Sequence, residues 1–381
     1  MRILFISPFY KPYLGGIERV IEQLGQHFLD DNRVEKVGVL TTKWSFPRNY
    51  HSDWADHETI DGIEVFRVNS WPQKALPFYQ VPLVWFFIND IRKAIEKFKP
   101  DIIQWMTDKW FWGNYWSWFF SRKQAKVFFS PSFHDLSILR IWLRPINAFL
   151  ARKVNKVQVI TELERTKVQK AYFAPENKFA VIPWAADKEE IGIIPILGMI
   201  PKIGVTILAV GRLSKHKGQA WLIDVFADLI NICDSDLKLI LVGEDEGEGV
   251  ILREMVDKKC ISDKVLITGK VSEEELARYY QNADIFALFP EYEAFGLVFL
   301  EAMMHALPVV THRVGAIEGV LQDKAFITDP YNRAQAKVIL AKLIDDQEFR
   351  ESAGQRGREF VSANFSWEKT AQSFLALYQQ H

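Results

Sequence analysis

The chain has 381 residues, 49% hydrophobic and 25% charged, ordinary globular values that exclude a disordered or fibrous protein and, at about 100–200 residues per domain, predict two domains. Its two cysteines, Cys233 and Cys260, have neither the number nor the spacing of a disulfide framework or a zinc site, so a reducing, cytoplasmic setting is expected. The net charge of −1 hides a split: residues 1–180 carry 26 Lys and Arg against 18 Asp and Glu, the remainder 21 against 30, and ten of the 13 Trp lie in the basic half.

MRILFISPFY has one Arg before an apolar run that Pro8 interrupts, too short for a signal peptide, and no stretch approaches the roughly 18 apolar residues of a spanning helix. Arg2 to Ser7 reads as the first strand. In the segment behind it, PFYKPYLGGIERVIEQLGQHF, Gly15 and Gly16 open an amphipathic helix. Such glycines either let a bulky anion approach the helix amides or simply form a tight turn, and the dinucleotide fingerprint is absent. Further strands are predicted at Lys36 to Thr41, Ile63 to Val68, Asp101 to Trp105, Lys126 to Ser130, Val157 to Thr161 and Phe179 to Ile182. Two stretches in this half stand out, KWFWGNYWSWFF and RIWLRPINAFLARKVNK. The second interleaves Arg140, Arg144, Arg152, Lys153 and Lys156 with Ile141, Trp142, Leu143, Phe149 and Leu150, as a helix lying on an anionic membrane would. The aromatics serve equally as core or as an acceptor platform. Nucleic-acid binding, the other reading of a basic half, has no motif behind it.

Between Trp184 and Gly204 the pattern breaks into IGIIPILGMIPKIG, an interdomain linker. A second strand series follows at Val205 to Val210, Leu237 to Val242, Val265 to Thr268, Asp284 to Leu288, Pro308 to Thr311 and Ala325 to Thr328. Short apolar runs alternating with amphipathic stretches specify parallel sheets, hence two doubly wound α/β domains. Ligands bind such folds beyond the carboxyl ends of the strands, so function is sought in those loops and in the cleft between the domains.

After the strand ending LAVGR, LSKHKGQAWLIDVF places Arg212 and Lys217 just before a helix beginning near Gly218. Two cations there oppose the helix dipole unless an anion sits between them, which describes a diphosphate site or, failing that, a solvated basic loop. In ADIFALFPEYEAFGLVFLEAMMHALPVV, Glu293 occupies the loop after a buried strand, a helix starts near Phe295-Gly296-Leu297, and Glu301 lies about one turn into it. Free amides around Gly296 suit a phosphate and Glu301 suits a ribose diol. Asp234-Ser235-Asp236 has the D-x-D form of metal-dependent sugar transfer, but it precedes a strand and reads as a solvated loop at the wrong end.

Together, EAFGLVFLE, GRLSKHKG and the N-terminal Gly pair resemble the signature of glycosyltransferase family four, retaining enzymes of GT-B fold, in the family's order over nearly the whole chain. The resemblance implies two Rossmann-like domains facing across a deep cleft. Residues 1–183, plus a C-terminal helix at about 366–381 crossing back, would bind the acceptor, and 184–365 the nucleotide-sugar donor. It assigns the donor diphosphate to Arg212, Lys217, Gly16, Phe295, Gly296 and Leu297, the ribose to Glu301, the transferred sugar to Glu293 and the nucleobase to Gly269 and Val271 of ITGKVSEEELARYY. His134 of PSFHDLSIL would touch the donor sugar near the reacting carbon, with Asp135 orienting its loop and Gly15 and Glu18 on the acceptor side. Transfer of a hexose, UDP-glucose before GDP-mannose, with retention and without metal or cofactor, onto a sugar or lipid-linked acceptor is the implied activity. It would build a polysaccharide or glycolipid, in the cytoplasm or peripherally on the inner face of the membrane. The alternatives are a degenerate nucleotide-sugar-binding scaffold and, less well matched, an epimerase or phosphorylase. Pro183-Trp184-Ala185 replaces the family's usual Pro-Asn-Gly, VGAIEGV near Gly315 is shortened, and the loop after LILVG reads EDEGEG, an acidic loop that either weakens diphosphate binding or faces water.

Overall fold

The computed structural model describes residues 1–13, 15–45, 49–70, 87–131, 139–186 and 204–380, apart from the side chains of 111 and 139–143. His134, Asp135 and almost the whole of the linker lie outside the described residues. The chain divides into two compact units, residues 1–184 with 367–381, and residues 185–366.

The first unit runs β1 (Arg2–Ile6), α1 (Gly16–Leu29), β2 (Lys36–Thr42), β3 (Trp44–Ser45), β4 (Asn49–Tyr50), β5 (His57–Ile60), β6 (Ile63–Val68), α2 (Ile88–Phe98), β7 (Ile102–Trp105), α3 (Phe111–Ser121), β8 (Lys126–Phe129), α4 (Leu139–Lys153), β9 (Lys156–Val159), α5 (Glu162–Tyr172) and β10 (Phe179–Val181). Eight of these strands form one sheet in the order β10-β9-β8-β7-β1-β2-β6-β5. All its neighbours are parallel except β5 and β6. That antiparallel edge pair was not among the expected strands. It turns on Asp61-Gly62, both at positive φ, the two-residue Asp-Gly turn whose twist matches a hairpin.

Apolar β7 and β8 fill the centre with Trp105 and Phe129, and the aromatic run of α3 packs largely inward. Trp110 is fully buried, and Trp112, Tyr115, Trp116, Trp118 and Phe120 are partly buried against the same core. A Cβ at Gly113 would stand 2.5 Å from the Trp110 ring, so only glycine lets the helix start this close. Beneath the apolar layer a buried polar chain crosses the strands. Gln104 donates to Ser130 Oγ at 2.8 Å, Ser130 donates to Gln158, and Gln158 donates to the Ile182 carbonyl at 2.6 Å.

The second unit runs β11 (Val205–Val210), α6 (Gln219–Ile230), β12 (Leu237–Val242), α7 (Gly249–Lys258), β13 (Val265–Gly269), α8 (Glu273–Asn282), β14 (Ile285–Ala287), α9 (Leu297–Met304), β15 (Val309–His312), α10 (Ile317–Leu321), β16 (Phe326–Thr328), α11 (Arg333–Asp345) and α12 (Gln347–Asn364). Its six strands, in the order β13-β12-β11-β14-β15-β16, are all parallel. Every residue of β11 is buried, as expected of a parallel strand covered on both faces. The order of strands departs to either side of β11, so the carboxyl ends of β11 and β14 form the switch point where this fold class opens to ligands.

Residues of α13 (Trp367–Gln380) belong to the first unit. Phe374, Leu375 and Tyr378 are fully buried there. Tyr378 meets Phe128 at a tilt and Phe28 edge-on, and its hydroxyl donates to Gln104 Oε1 at 3.0 Å, completing the buried polar chain.

Candidate functional site

The candidate site is built along the carboxyl edge of the second unit's sheet. Gly243, after β12, can approach the end of β11 only because it lacks a side chain, since a Cβ there would lie 2.0 Å from the Gly211 carbonyl. Beyond Gly211 the chain makes a short 3-10 turn, Lys215–Lys217, and enters α6 through Gly218 at φ 73°. A Cβ at Gly218 would meet the Phe289 carbonyl at 1.9 Å. Gln219, buried at the start of α6, donates to the Arg212 carbonyl at 2.8 Å, and Glu291 N–H donates to the His216 carbonyl at 2.8 Å. The loop bearing Arg212 and Lys217 is therefore clamped to the loop that follows β14.

That clamp brings Lys217 to Glu293, with Nζ donating to Oε2 at 2.8 Å; their side chains are 17% and 15% exposed. The other carboxylate oxygen, Oε1, accepts from Ala294 N–H at 3.1 Å. Beneath Glu293 passes Gly315, at φ 54°, where a Cβ would lie 1.8 Å from the Glu293 carbonyl; Ala316 N–H donates to that same carbonyl at 3.2 Å. Gly315, in the shortened VGAIEGV segment, is thus a support of the site that the sequence reading did not assign.

Gly296 caps α9 at φ 85°, with buried Phe295 before it and Leu297 as the first helical residue. Glu301, one turn on, accepts from the Tyr280 hydroxyl at 2.9 Å, and the Tyr280 ring stacks on His305 at 5.2 Å. Tyr280 is a second support that only three-dimensional proximity reveals, because it stands on α8. Gly269 closes β13 at φ 76° with open space where a Cβ would sit, and Val271 follows in the turn before α8. Arg212, Lys217, Gly269, Val271, Glu293, Phe295, Gly296, Leu297 and Glu301 accordingly all follow strand ends of one sheet edge.

The two cations beside α6 are met by anions within the unit itself. Arg212 pairs with Glu246 of the loop after β12 and Lys217 with Glu293, so the protein's own carboxylates offset the unfavourable dipole interaction. The two cations and burial in turn push the His216 imidazole below its ordinary pKa, burial being the larger cause. Nor is the EDEGEG loop merely solvated. Asp245 accepts from Gly247 and Gly249 N–H at 2.8 and 2.9 Å, fixing the start of α7, and those backbone donors hold its carboxyl below the usual range. Asp236 of the D-x-D triplet lies at the opposite, amino end of β12 and pairs with Lys264 at 2.8 Å.

In the first unit Gly15 precedes α1 and its N–H donates to Glu18 Oε2 at 3.0 Å. Glu18 is buried, whereas a Cβ at Gly16 would meet nothing within 4 Å. The N-cap amide of α1 is thus bonded to the helix's own carboxylate, with open space beside Gly16.

Two family models match consecutive parts of the chain: Glycosyltransferase Family 4 over residues 14–190 and Glycosyl transferases group 1 over residues 200–360. Among curated relatives, mannosylfructose-phosphate synthase of Agrobacterium fabrum is 33% identical over 184 residues, 46% of this chain and 40% of that protein. The chain spans about half the length, or less, of the first curated relatives it matches. Among solved structures, sucrose-phosphate synthase from Thermosynechococcus elongatus superposes with a TM-score of 0.81 at 20% identity, covering 100% of this chain and 98% of that one. HepE of Anabaena, in complex with UDP and glucose, gives a TM-score of 0.75 at 19% identity over the whole of both chains.

Proposed function

The chain belongs to glycosyltransferase family four and has the GT-B fold, and from that premise we propose that it is a retaining, metal-independent hexosyltransferase. The second unit takes a nucleotide sugar and the first its acceptor. The observation that carries the reading is the 2.8 Å Lys217–Glu293 pair beside the glycine-capped start of α9. It sets a cation for a phosphate and a carboxylate for a sugar side by side on one sheet edge.

Arg212 and Lys217 then neutralise the diphosphate, aided by the amides at Phe295, Gly296 and Leu297, and Gly16 keeps the diphosphate role that the family resemblance gives it. Glu301 takes the ribose, Gly269 and Val271 flank the base, and Glu293 holds the sugar. Breaking the anomeric carbon–phosphate oxygen bond leaves charge on the diphosphate, which preorganised cations stabilise without a divalent ion. The departing oxygen accepts the proton of the acceptor hydroxyl as that hydroxyl bonds to the same face of the anomeric carbon. His134 and Asp135 keep the roles that the family resemblance gives them, and Gly15 and Glu18 shape the acceptor side. UDP-glucose is the favoured donor because a structural neighbour was solved with it.

A lipid-linked acceptor, in polysaccharide or glycolipid synthesis, is supported by the first unit. Residues 109–161 contain nine Lys and Arg and a single acidic residue, Asp135. On the packed helices α3 and α4, Phe119 and Phe149 are 38% and 46% exposed. Peripheral attachment fits a chain in which no described helix is long and apolar enough to cross a membrane. The test is product formation from UDP-, GDP- and ADP-hexoses with chelator present, with the anomeric configuration read by NMR. Inversion, or activity abolished by chelation, refutes the mechanism; tight donor binding with no turnover on any acceptor or water identifies a scaffold instead.

A further inference from the structure

The loop after β12 is tied to the loop bearing Arg212. Leu213 N–H donates to the Glu244 carbonyl at 2.8 Å and Glu246 N–H donates to the Leu213 carbonyl at 3.0 Å, a one-residue parallel bridge between Leu213 and Asp245. Asp245 is committed to the amides that begin α7. Glu246 is therefore presented to Arg212 by a fixed backbone, and its Oε1 accepts from Arg212 Nη1. The carboxylate side chain is 19% exposed and the guanidinium side chain 43%, so the anion is held from the protein side of the pair. Nothing in the transfer reaction as proposed uses Glu246.

We propose that Glu246 is a product-release residue, competing with the nucleoside diphosphate for Arg212 more strongly than with the nucleotide sugar. The inference rests on the donor reading above. In the donor the outer phosphate is a diester; once the sugar leaves it becomes a terminal phosphate, whose second ionisation near pH 6 adds negative charge at neutral pH. A carboxylate fixed beside the cation that grips this group repels the product more than the donor. A partly exposed pair such as Arg212–Glu246 contributes little stability, so the donor still displaces it at small cost. Glu246 thus weakens a polyanion site selectively in its post-reaction state, where tight binding would only slow turnover.

The test is calorimetric titration at low ionic strength of wild type, Glu246→Gln and Arg212→Ala. The ligands are whichever of UDP, GDP and ADP wild type binds, its hexose ester, and the parent nucleoside. Glu246→Gln is expected to bind the diphosphate about three- to tenfold more tightly, the sugar ester less than about twofold more tightly, and the nucleoside unchanged. Equal tightening of diphosphate and ester, no change, or weakening overturns the role of Glu246, while loss of nucleotide affinity in Arg212→Ala leaves the donor reading standing. If Arg212→Ala binds like wild type, or wild type binds none of the three, the donor reading itself falls and this inference with it.

Discussion

On the second unit's sheet edge Arg212 and Lys217 each meet a carboxylate, whereas on the first unit's helices the cations lie over rings. Arg122 is 4.0 Å from the Phe119 centroid and Lys153 is 5.4 Å from that of Phe149, while Trp118 meets Phe149 edge-on at 6.2 Å. The first arrangement stores charge against internal anions and suits exchange with a soluble polyanion. The second keeps net positive charge beside exposed aromatic surface, the combination that binds an anionic interface. Under the proposed function the same residue types would serve two different ligand classes according to what faces them.

The comparison is broken most directly at Lys217. Lys217→Ala should lower initial rates of sugar transfer by about 10²–10³-fold, the loss typical of one preorganised charge-stabilising group, while co-sedimentation with anionic liposomes stays at wild-type level. Retained activity would remove Lys217 from the mechanism. Next in size, Gly218→Ala should destabilise the second unit by about 2–4 kcal/mol in urea unfolding, because a left-handed φ and a backbone carbonyl at 1.9 Å leave no room to adjust. An unchanged midpoint would mean that the clamp between the β11 and β14 loops is loose.

The first unit's half is sharpened by Phe149→Ser combined with Lys153→Glu. Liposome affinity at low salt should fall about tenfold, on the order of 1 kcal/mol per lost surface charge plus the aromatic contact, with nucleotide affinity unaltered. Equal sedimentation of wild type and double variant would end the membrane reading. The smallest effect expected is a pH trend confined to the second unit. Burial depresses both His216 and His312 below the ordinary value of 6.5. His312 is held neutral, with Nε2–H donating to the Pro290 carbonyl at 2.6 Å and Nδ1 accepting from Tyr331 N–H at 3.4 Å. The unfolded chain therefore binds more protons below pH 6.5, so stability is full above that pH and is lost as the pH falls beneath it. His312→Gln should flatten the slope of melting temperature between pH 7 and 5, and an unaltered slope would exclude His312 as its source.

Much of the architecture was legible because parallel strands buried on both faces read as short apolar runs, and both strand series emerged from them. What the reading missed had a different origin. β5, with the pattern HETI, is half exposed at a sheet edge, and only Asp61-Gly62 betrays it. In the site, Arg212, Lys217, Glu293 and Gly296 could be picked out because each sits at a strand-to-helix junction, and Glu301 because it is an acidic residue within an otherwise apolar helix. Their partners could not. Glu246 lies 34 residues from Arg212 and Glu293 lies 76 from Lys217, and pairing over such separations is set by strand order, which periodicity does not encode. The Tyr280–Glu301 bond and the passage of Gly315 beneath Glu293 are hidden for the same reason.

The return of α13 to the first unit carries a consequence for biosynthesis. Residues 367–380 emerge from the ribosome after the whole of residues 185–366, yet Tyr378 completes the polar chain at Gln104 and Phe374 and Leu375 fill the first unit's core. The unit translated first is thus the one completed last, and until then the apolar surface that Phe28 of α1 and Phe128 of β8 offer to α13 lacks its cover. A nascent chain in this state would expose apolar surface of the kind that chaperones cover, and a ribosome stalled between the two segments would present a half-made first unit beside a finished second one.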